Sequence, residues 1–528
     1  VLDGSPPIFR FNGYTVGSTP LALVLDTTNL RDDYTTSYEA AGRHDVKIGF
    51  DYLHFKNDFI WCLRCTGDAD VRGAGLVPTA AMVGQIFPND KWNDAAAWNS
   101  LELLNPGARL VNHSITDTDH RYPVRRHVFG GWYQDDWQML DSFTLNMGVR
   151  YDWDSNGHNE QMVWLPFKPG NEPRDRNNVA PRVGFNMRVN DGTVIRGGYG
   201  LYFAFAPNDG VQQTTGYRCF VGSDSCPRFE NQILPDGRAD FIPNWFNSDA
   251  PSVESQVGGR WPTAQEAIAN ACDQNGSAPG CVYRAFGQEI NYVGRQTSYA
   301  HQASIGLQRQ LADLVSFEAN FLYTGGRGEE VSTQGNLTYN PETGANYRFQ
   351  DIARRATPQF GIVNYEYLAG TSNYYGADFT VTKRYSDNWQ LTASYTAAWF
   401  KDRLPPRAEW VVGDQGYVVR RPVPFALARD LGGEYTYAAS DQRGRATLNG
   451  IWDIGKGLQL SGIYFYGSGE ALQAVTGSDR RNEGSQSEQR LRADGTIIDR
   501  NAFPNVEAIH RMDMRLQERI PLGGSVTL

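Results

Sequence analysis

The stretch FTLNMGVRYDWD, residues 143–154, alternates without an error between two kinds of side chain. The odd positions carry the apolar or aromatic residues Phe143, Leu145, Met147, Val149, Tyr151 and Trp153, and the even positions carry polar or small ones. Because successive side chains of a strand point to opposite faces, a period of two predicts a strand with one apolar and one polar face. A strand of this length needs something apolar to cover its apolar face.

The same alternation recurs along the whole chain. It is seen in residues 33–41, 44–55, 181–189, 193–205, 301–311, 316–324, 376–385, 389–399, 445–454 and 511–520. The composition agrees, with 27 Tyr, 26 Phe and 13 Trp for strands and 55 Gly for turns among 528 residues. The sequence therefore predicts an all-β protein with about fourteen strands in this chain.

The connections between these strands are of two kinds that alternate strictly. Short connections rich in Asn, Asp and Gly, which suit tight hairpins, lie at 140–142, 190–192, 312–313, 386–388, 455–457 and 522–524. Long irregular connections lie at 62–125, 155–178, 206–298, 325–373, 402–440 and 470–508. In an up-and-down sheet this order places every tight turn at one end and every long loop at the other.

A lipid bilayer explains both features. Outer-membrane barrels have short periplasmic turns, long extracellular loops and strands that cross with roughly 9–11 residues. The sequence has no apolar run of about 18 residues, so only strands could cross a membrane. We therefore predict a large antiparallel transmembrane β-barrel with interfacial aromatics at Trp137, Trp153, Trp389, Trp399 and Tyr202. The alternative, that these aromatics fill the core of a soluble sandwich, does not explain the sorted connections.

The polar faces of the strands would line the lumen of such a barrel. The residues predicted to face it are Arg150, Asp152, Arg182, Arg188, Arg196, Glu318, Asp378 and Asp453. They could bind a plug domain or a substrate, or they could simply pair with one another across strands. The second interpretation is favoured, because lumen faces of barrels are polar whatever they transport.

The long loops supply the candidate substrate contacts. Their aromatic residues, which could equally form small cores within the loops, are Trp245, Phe246, Trp261, Trp410, Tyr417 and Phe425. The six cysteines form three close pairs, Cys62 with Cys65, Cys219 with Cys226 and Cys272 with Cys281. This spacing predicts disulfides in an oxidising compartment; half of a zinc site at Cys62 and Cys65 would need a second half, and the sequence has none.

Other chemistry has little support in the sequence. A P-loop, an HExxH motif and a nucleophile elbow are all missing, so no enzymatic activity and no cofactor are predicted. Asp117–His120 and Asp68–Asp70 could offer oxygen ligands to Ca²⁺, but without EF-hand spacing they are interpreted as solvated loops. The net charge of −10 is spread along the chain, so a nucleic-acid partner is not expected.

Three segments resemble TonB-dependent outer-membrane receptors. GGWYQDDWQMLDSFTLNMGVRYDW (130–153) and NNVAPRVGFNMRVNDGTVIRGGYGLYF (177–203) are similar to two hairpins that follow each other in that family. HRMDMRLQERIPLG (510–523) is similar to a strand near its C-terminus. The Cys-x-x-Cys after HDVKIGFDYLHFKN resembles the Oar-like receptors, which carry an N-terminal carboxypeptidase-regulatory-like domain.

This resemblance implies a barrel of 22 strands in the bacterial outer membrane, a plug domain in its lumen, and TonB pulling on an N-terminal box. Residues 1–528 would then be part of the barrel domain, with the regulatory domain, the plug and the last strands outside this sequence. The implied function is a receptor that moves a substrate across the membrane, with lipid, lipopolysaccharide, TonB and surface proteins as partners. The alternation alone fits two other functions equally well, a passive porin-like channel and a structural or adhesive surface barrel.

Overall fold

The structure is a computed structural model, and it describes only part of the chain. The described residues are 8–11, 14–16, 21–61, 68–70, 80–86, 88–90, 109–111, 121–158, 160, 163–164, 168–169, 173–204, 228–229, 283–284, 288–291, 296–334, 336–343, 345–349, 351–358, 363–403, 408–412, 418–422, 435–472, 474, 480, 482, 492–494, 496, 498–503, 507–523 and 526–527.

Long strands, each paired with the next along the chain, form one antiparallel meander. They are β1 (Leu21–Glu39), β2 (Arg43–Trp61), β3 (Arg121–Leu140), β4 (Phe143–Asp154), β5 (Val179–Asn190), β6 (Thr193–Phe203), β7 (Tyr299–Ala312), β8 (Val315–Gln334), β9 (Val363–Ser386), β10 (Trp389–Arg403), β11 (Gly444–Gly455), β12 (Leu458–Gly467) and β13 (Ile509–Glu518). Two short strands, Gln288–Asn291 beside β9 and Thr436–Tyr437 beside β10, complete a 15-stranded sheet. The prediction of an all-β antiparallel fold is confirmed.

The remaining elements are short. Strands outside the main sheet are Ile8–Phe11, Tyr14–Val16, Asp68–Asp70, Arg109–Val111, Val163–Trp164, Lys168–Pro169, Arg228–Phe229, Tyr283–Arg284, Tyr339–Asn340, Ala345–Asn346, Ala408–Val412, Val418–Pro422, Pro521–Gly523 and Val526–Thr527. Helical turns are found at Ala80–Ile86, Pro88–Asp90 and Ile352–Arg354. Among the described residues, none of these helices has the length and apolar character needed to span a membrane.

Two of the predicted tight connections, 386–388 and 455–457, contain the left-handed backbone that their composition predicts. Asp387 and Asn388, between β9 and β10, have φ values of 50° and 69°, and Lys456, between β11 and β12, has a φ of 56°. Such left-handed backbone favours Asn, Asp and Gly, and it matches the twist of two-residue hairpins. These turns therefore fix the register of the strand pairs they join.

One long connection was predicted with the wrong bounds. Residues 325–373 do not form a single irregular loop, because β8 continues to Gln334 and β9 begins at Val363, and the two strands pair along these extensions. The extension of β8 starts with GGRG, which has no apolar alternation. Ladder hydrogen bonds need only the backbone, so pairing continues beyond the segment in which one face has to be apolar.

The register places the apolar residues of neighbouring strands side by side. Met147 of β4 is opposite Val183 of β5, which is opposite Tyr199 of β6, and Phe379 of β9 is opposite Tyr395 of β10. We call this side of the sheet the apolar face. Many large side chains on this face are not covered by any other part of the described protein; Leu448, for example, is 44% exposed. Soluble proteins rarely leave so large an apolar surface uncovered.

The exposure of these side chains argues against the sandwich alternative, in which they would be buried between two stacked sheets. Of the five aromatics predicted to lie at the interfaces, Trp137, Trp153, Trp389 and Trp399 lie on the apolar face near strand ends. Tyr202 was predicted wrongly. It lies on the opposite face, where the guanidinium of Arg182 is 4.5 Å from its ring centroid, because it is out of phase with Tyr199 and Leu201.

Candidate functional site

The eight polar residues predicted from the alternation all lie on the side of the sheet opposite the apolar face. Arg182 of β5 is opposite Gly200 of β6, and Asn186 of β5 is opposite Arg196. Asp378 of β9 is opposite Asn320 of β8. Arg150, Asp152, Arg188, Glu318 and Asp453 share this side by the same register. We call it the polar face, and its densest cluster of charges lies on β1 to β6.

Arg150 of β4 is the centre of that cluster. Its Nη2 atom is 3.2 and 3.1 Å from the two carboxylate oxygens of Asp51 on β2, and its Nε atom is 2.9 and 3.0 Å from those of Asp152. The ion pair with Asp51 passes over β3, where Gly130 faces it. A Cβ at Gly130 would overlap both Arg150 and Asp51, so the missing side chain allows a contact between strands that are not neighbours.

The indole of Trp132 contacts two guanidinium groups. Arg31 is 4.8 Å and Arg150 is 5.4 Å from its ring centroid, so two cations lie close to this aromatic ring. Beside it the ammonium of Lys47 is 2.8 Å from the carboxylate of Asp33. The ring itself lies over Gly49 of β2, where a Cβ would overlap its six-membered ring.

Replacement of Gly49 by alanine is therefore expected to destabilise the protein by about 1–3 kcal/mol, the usual range for overpacking. The added methyl group has to displace Trp132 from the two guanidinium groups. Thermal unfolding in detergent would measure the effect. Gly131→Ala is the matched control, because the nearest atom to its Cβ is 3.9 Å away. Equal melting temperatures for the two variants would contradict the packing described here.

A hollow of about 520 Å³ opens beside this cluster on the polar face. Its polar lining includes Arg31, Lys47, Trp132, Asn146, Arg150, Arg182, Tyr202, Gln302 and Ser304. The volume is within the usual range for small-molecule sites. This wall combines guanidinium, ammonium, amide and hydroxyl groups. Such a set can form hydrogen bonds with an anionic or polyhydroxylated group, or with a polar protein segment.

The loop-side end of the polar face is partly covered by residues 155–158, 160 and 173–178. Asp175 accepts a hydrogen bond from the backbone N–H of Thr297 at 2.7 Å, and the amide of Asn178 is 3.4 Å from the Thr297 hydroxyl. A second hollow of about 220 Å³ lies beneath them, lined by Asp51, Asp152, Asp154, Glu160 and Asp175 among others. Within the described residues, no group of three or more His, Cys, Asp and Glu side chains could hold a metal ion.

Another anchor holds the base of the connection between β10 and β11. Asp441 is buried and accepts a 2.6 Å hydrogen bond from the backbone N–H of Phe400, and it also accepts one from Arg443. The Arg443 guanidinium is 3.7 Å from the ring centroid of Tyr437. A hydrogen bond from Arg443 holds the pKa of the Tyr437 phenol below its usual value, against the raising effect of desolvation. These contacts therefore tie the loop base to β10.

The other predicted polar residues also find partners inside the sheet. Arg196 pairs with Glu318, and Arg188 donates to the carbonyl of Asp141 at 3.4 Å. Asp378 accepts a hydrogen bond from Thr396 at 2.5 Å, and Asp453 accepts hydrogen bonds from Gln459 at 2.7 Å and from Tyr385. All eight therefore contact other groups of the same wall, Arg182 through the ring of Tyr202.

The predictions for the long loops lie outside the described residues. This holds for Trp245, Phe246, Trp261, Tyr417, Phe425, Asp117–His120 and the six cysteines Cys62, Cys65, Cys219, Cys226, Cys272 and Cys281. Trp410 and Asp68–Asp70 lie in short strands of which only the backbone is described. The disulfides, the loop aromatics and the calcium ligands stay predictions.

The members of the cluster that sequence reasoning missed include Asp51, Trp132 and Arg31. Asp51 stands between Phe50 and Tyr52 in an alternating strand, so its phase alone places it on the polar face. Trp132 gives a similar signal, because the aromatic pair Trp132–Tyr133 must place one ring on each face. Arg31 lies in a part of β1 that the predicted segment 33–41 did not reach.

Comparisons with known proteins agree with this architecture. A family model described as outer membrane beta barrel domain matches residues 4–508. No curated protein shows significant similarity to the sequence. Solved structures that are similar include the outer membrane transporter YddB from Escherichia coli, with 10% identity, a TM-score of 0.49 and coverage of 97% of this chain and 52% of that one.

Two further similar structures are receptors. The siderophore receptor PirA from Acinetobacter baumannii has 10% identity and a TM-score of 0.44 over 97% of this chain and 50% of its own. A variant of the ferric enterobactin receptor PfeA from Pseudomonas aeruginosa has 9% identity and a TM-score of 0.45 over 97% of this chain and 48% of its own. The chain thus spans about half the length of these structures.

Proposed function

Because the chain belongs to the outer membrane beta-barrel domain family, we propose that it forms part of the wall of a plug-gated, TonB-dependent receptor of the Oar-like type that moves a substrate across the bacterial outer membrane. Its location in the outer membrane follows from the family itself. The gate, the energy coupling, the subfamily and the transport activity are the proposed part.

The apolar face supports a membrane-spanning wall. Exposed side chains such as Leu448, Trp452 and Met514 continue across neighbouring strands, and hydrocarbon would cover them at no desolvation cost. The polar face would then line the lumen, and the tight turns would lie on the periplasmic side. In a closed barrel the two edge strands, β1 and β13, would pair with further strands, because lipid cannot satisfy their backbone groups.

One observation carries the proposal of a gated lumen. The two hairpins that resemble TonB-dependent receptors, 130–153 and 177–203, form the adjacent strands β3 to β6 and supply most of the lining of the 520 Å³ hollow. Trp132, Arg150, Arg182 and Tyr202 all come from them. The segments that define the family resemblance are thus the ones that place charges and aromatic rings toward the proposed lumen.

The state of those charges indicates a fixed wall. Arg150 is held by two carboxylates and Trp132 by two guanidinium groups, so their positions are determined before anything enters the lumen. A preorganised polar wall suits the docking of a folded plug, which must seal the lumen and be released again. Gating would then belong to the plug, with TonB acting on it, while the wall stays rigid.

The full-length protein in planar bilayers provides the test. A plugged receptor is expected to show almost no resting conductance, and to bind the purified periplasmic domain of TonB. Open, ion-selective conductance without TonB binding would favour a passive channel and overturn the proposal. A closed barrel that neither binds TonB nor affects uptake of any nutrient after gene deletion would favour a structural or adhesive role and would also overturn it.

A further inference from the structure

A repeated pair of side chains marks the loop-side part of the apolar face. The hydroxyl of a tyrosine lies 2.8 Å from Nδ1 of a histidine on the neighbouring strand three times, in Tyr52–His127, Tyr199–His301 and Tyr464–His510. Each histidine lies two residues closer to the long loop than the register partner of its tyrosine. With the hydroxyl donating to Nδ1, the Nε2–H of each ring is left as a donor at the border of the apolar face.

The first of these pairs lies beside a cluster of cations. On β2 and β3, His54 is directly opposite His127, with ring centroids 4.6 Å apart, and Lys56 is directly opposite Arg125. Like charges directly opposite each other destabilise a strand pair unless an anion lies between them. The carboxylate of Asp26 is 3.7 Å from the Lys56 ammonium and is largely exposed.

Arg125 and His127 border a hollow of about 570 Å³ on the same face. It is lined by Arg125, His127, Phe129, Trp153, Ser155, Asn156 and Arg174. Among the described residues, no carboxylate forms an ion pair with Arg125 or Arg174. Phe129 and Trp153, stacked at 5.4 Å, lie on the side of the hollow nearer the tight turns, where Tyr151 and Val149 continue the apolar face.

We propose that Lys56, Arg125, His127 and Arg174, here called the basic border, bind a phosphate group of the phosphorylated glycolipid, lipid A, that forms the outer leaflet. The inference rests on the proposed orientation, in which the apolar face meets lipid and the long loops lie outside. Guanidinium and ammonium groups would contact the phosphate, and Phe129 and Trp153 would contact the acyl chains below it. This chemistry fits the position of the border, because headgroup phosphates lie where the apolar face ends.

The test measures binding of lipid A to the full-length protein in detergent by native mass spectrometry. Bisphosphorylated lipid A is compared with lipid A whose phosphates have been removed. The wild type is expected to prefer the phosphorylated form about tenfold or more, and the double variant Lys56→Gln/Arg125→Gln to lose that preference. Arg309→Gln/Lys383→Gln is the matched control, since it removes two cations from the same face near the tight turns and should keep it.

Several results would overturn the proposal. Equal binding of both lipid forms would show that only the acyl chains are recognised. Displacement of lipid A by excess inorganic phosphate would show a site for soluble anions. Unchanged preference in the double variant would place the phosphate elsewhere. Flotation with vesicles separates these results from failure of the membrane assignment, because a chain that does not insert at all contradicts the proposed function, whereas one that inserts without discriminating phosphate contradicts only this site.

Discussion

Leu448→Arg is expected to lower the free energy of unfolding in a lipid bilayer by about 2–4 kcal/mol, the cost of a cation near the middle of the hydrocarbon. Leu448 lies near the centre of β11 on the apolar face, and its neighbours across the strands are Ala393 and Tyr464. No carboxylate contacts this row in the described structure. The arginine could only extend toward an interface or draw water into the lipid, and both are costly.

Asn449→Arg is the control for this experiment, because Asn449 is the next residue of β11 and lies exposed on the polar face. There the same side chain would remain hydrated, and a change within about 0.5 kcal/mol is expected. Equilibrium unfolding by guanidinium chloride in vesicles measures both values. A larger loss of unfolding free energy for the Asn449 variant than for the Leu448 variant would contradict the assignment of the two faces.

Arg126→Met is expected to cost about 3–5 kcal/mol, the range for breaking a buried ion pair. Arg126 of β3 has a fully buried side chain that donates to the carboxylate of Asp154 on β4. Methionine can fill part of the volume but leaves the carboxylate without its cation. Because Asp154 also accepts the backbone N–H of Asn156, its displacement would loosen the loop that follows β4.

The neighbouring residue provides the matched control for Arg126. Arg125→Met removes the same charge and the same length of side chain, but Arg125 is exposed on the apolar face. In detergent without lipid A its loss should change stability by no more than about 0.5 kcal/mol. Thermal unfolding of both variants measures the difference. Similar stabilities for the Arg126 and Arg125 variants would mean that the ion pair with Asp154 contributes little to the fold.

Much of the fold could be predicted, because alternation with a period of two indicates both that a segment is a strand and on which face each side chain lies. Once Val149 is assigned to one face, Arg150 must lie on the other, and the eight predicted polar residues share a side for this reason alone. The turn between β9 and β10 could also be predicted, since Asp387 and Asn388 adopt the positive φ that their side chains tolerate. The length of β8 was not, because its GGRG segment pairs through the backbone only.

The pairing inside the candidate site could not be read from the sequence. The contact of Arg150 with Asp51 depends on which strands are neighbours, on their register, and on a glycine at position 130 of the strand between them. Each of these is a long-range property. The phase of Trp132 was visible, but its position over Gly49 needed the register of β2 against β3.

The central claim is that one face of each strand touches hydrocarbon and the other touches water. A nitroxide placed in turn at every residue of β4, 143–154, in the protein reconstituted into vesicles tests it most directly. We expect collisions with oxygen, which concentrates in lipid, to peak at the odd positions from Leu145 to Tyr151. Collisions with a water-soluble nickel chelate should peak at the even positions from Asn146 to Asp152. Low accessibility to both probes at the odd positions would show that the apolar face is buried against protein, and would contradict the membrane-spanning wall.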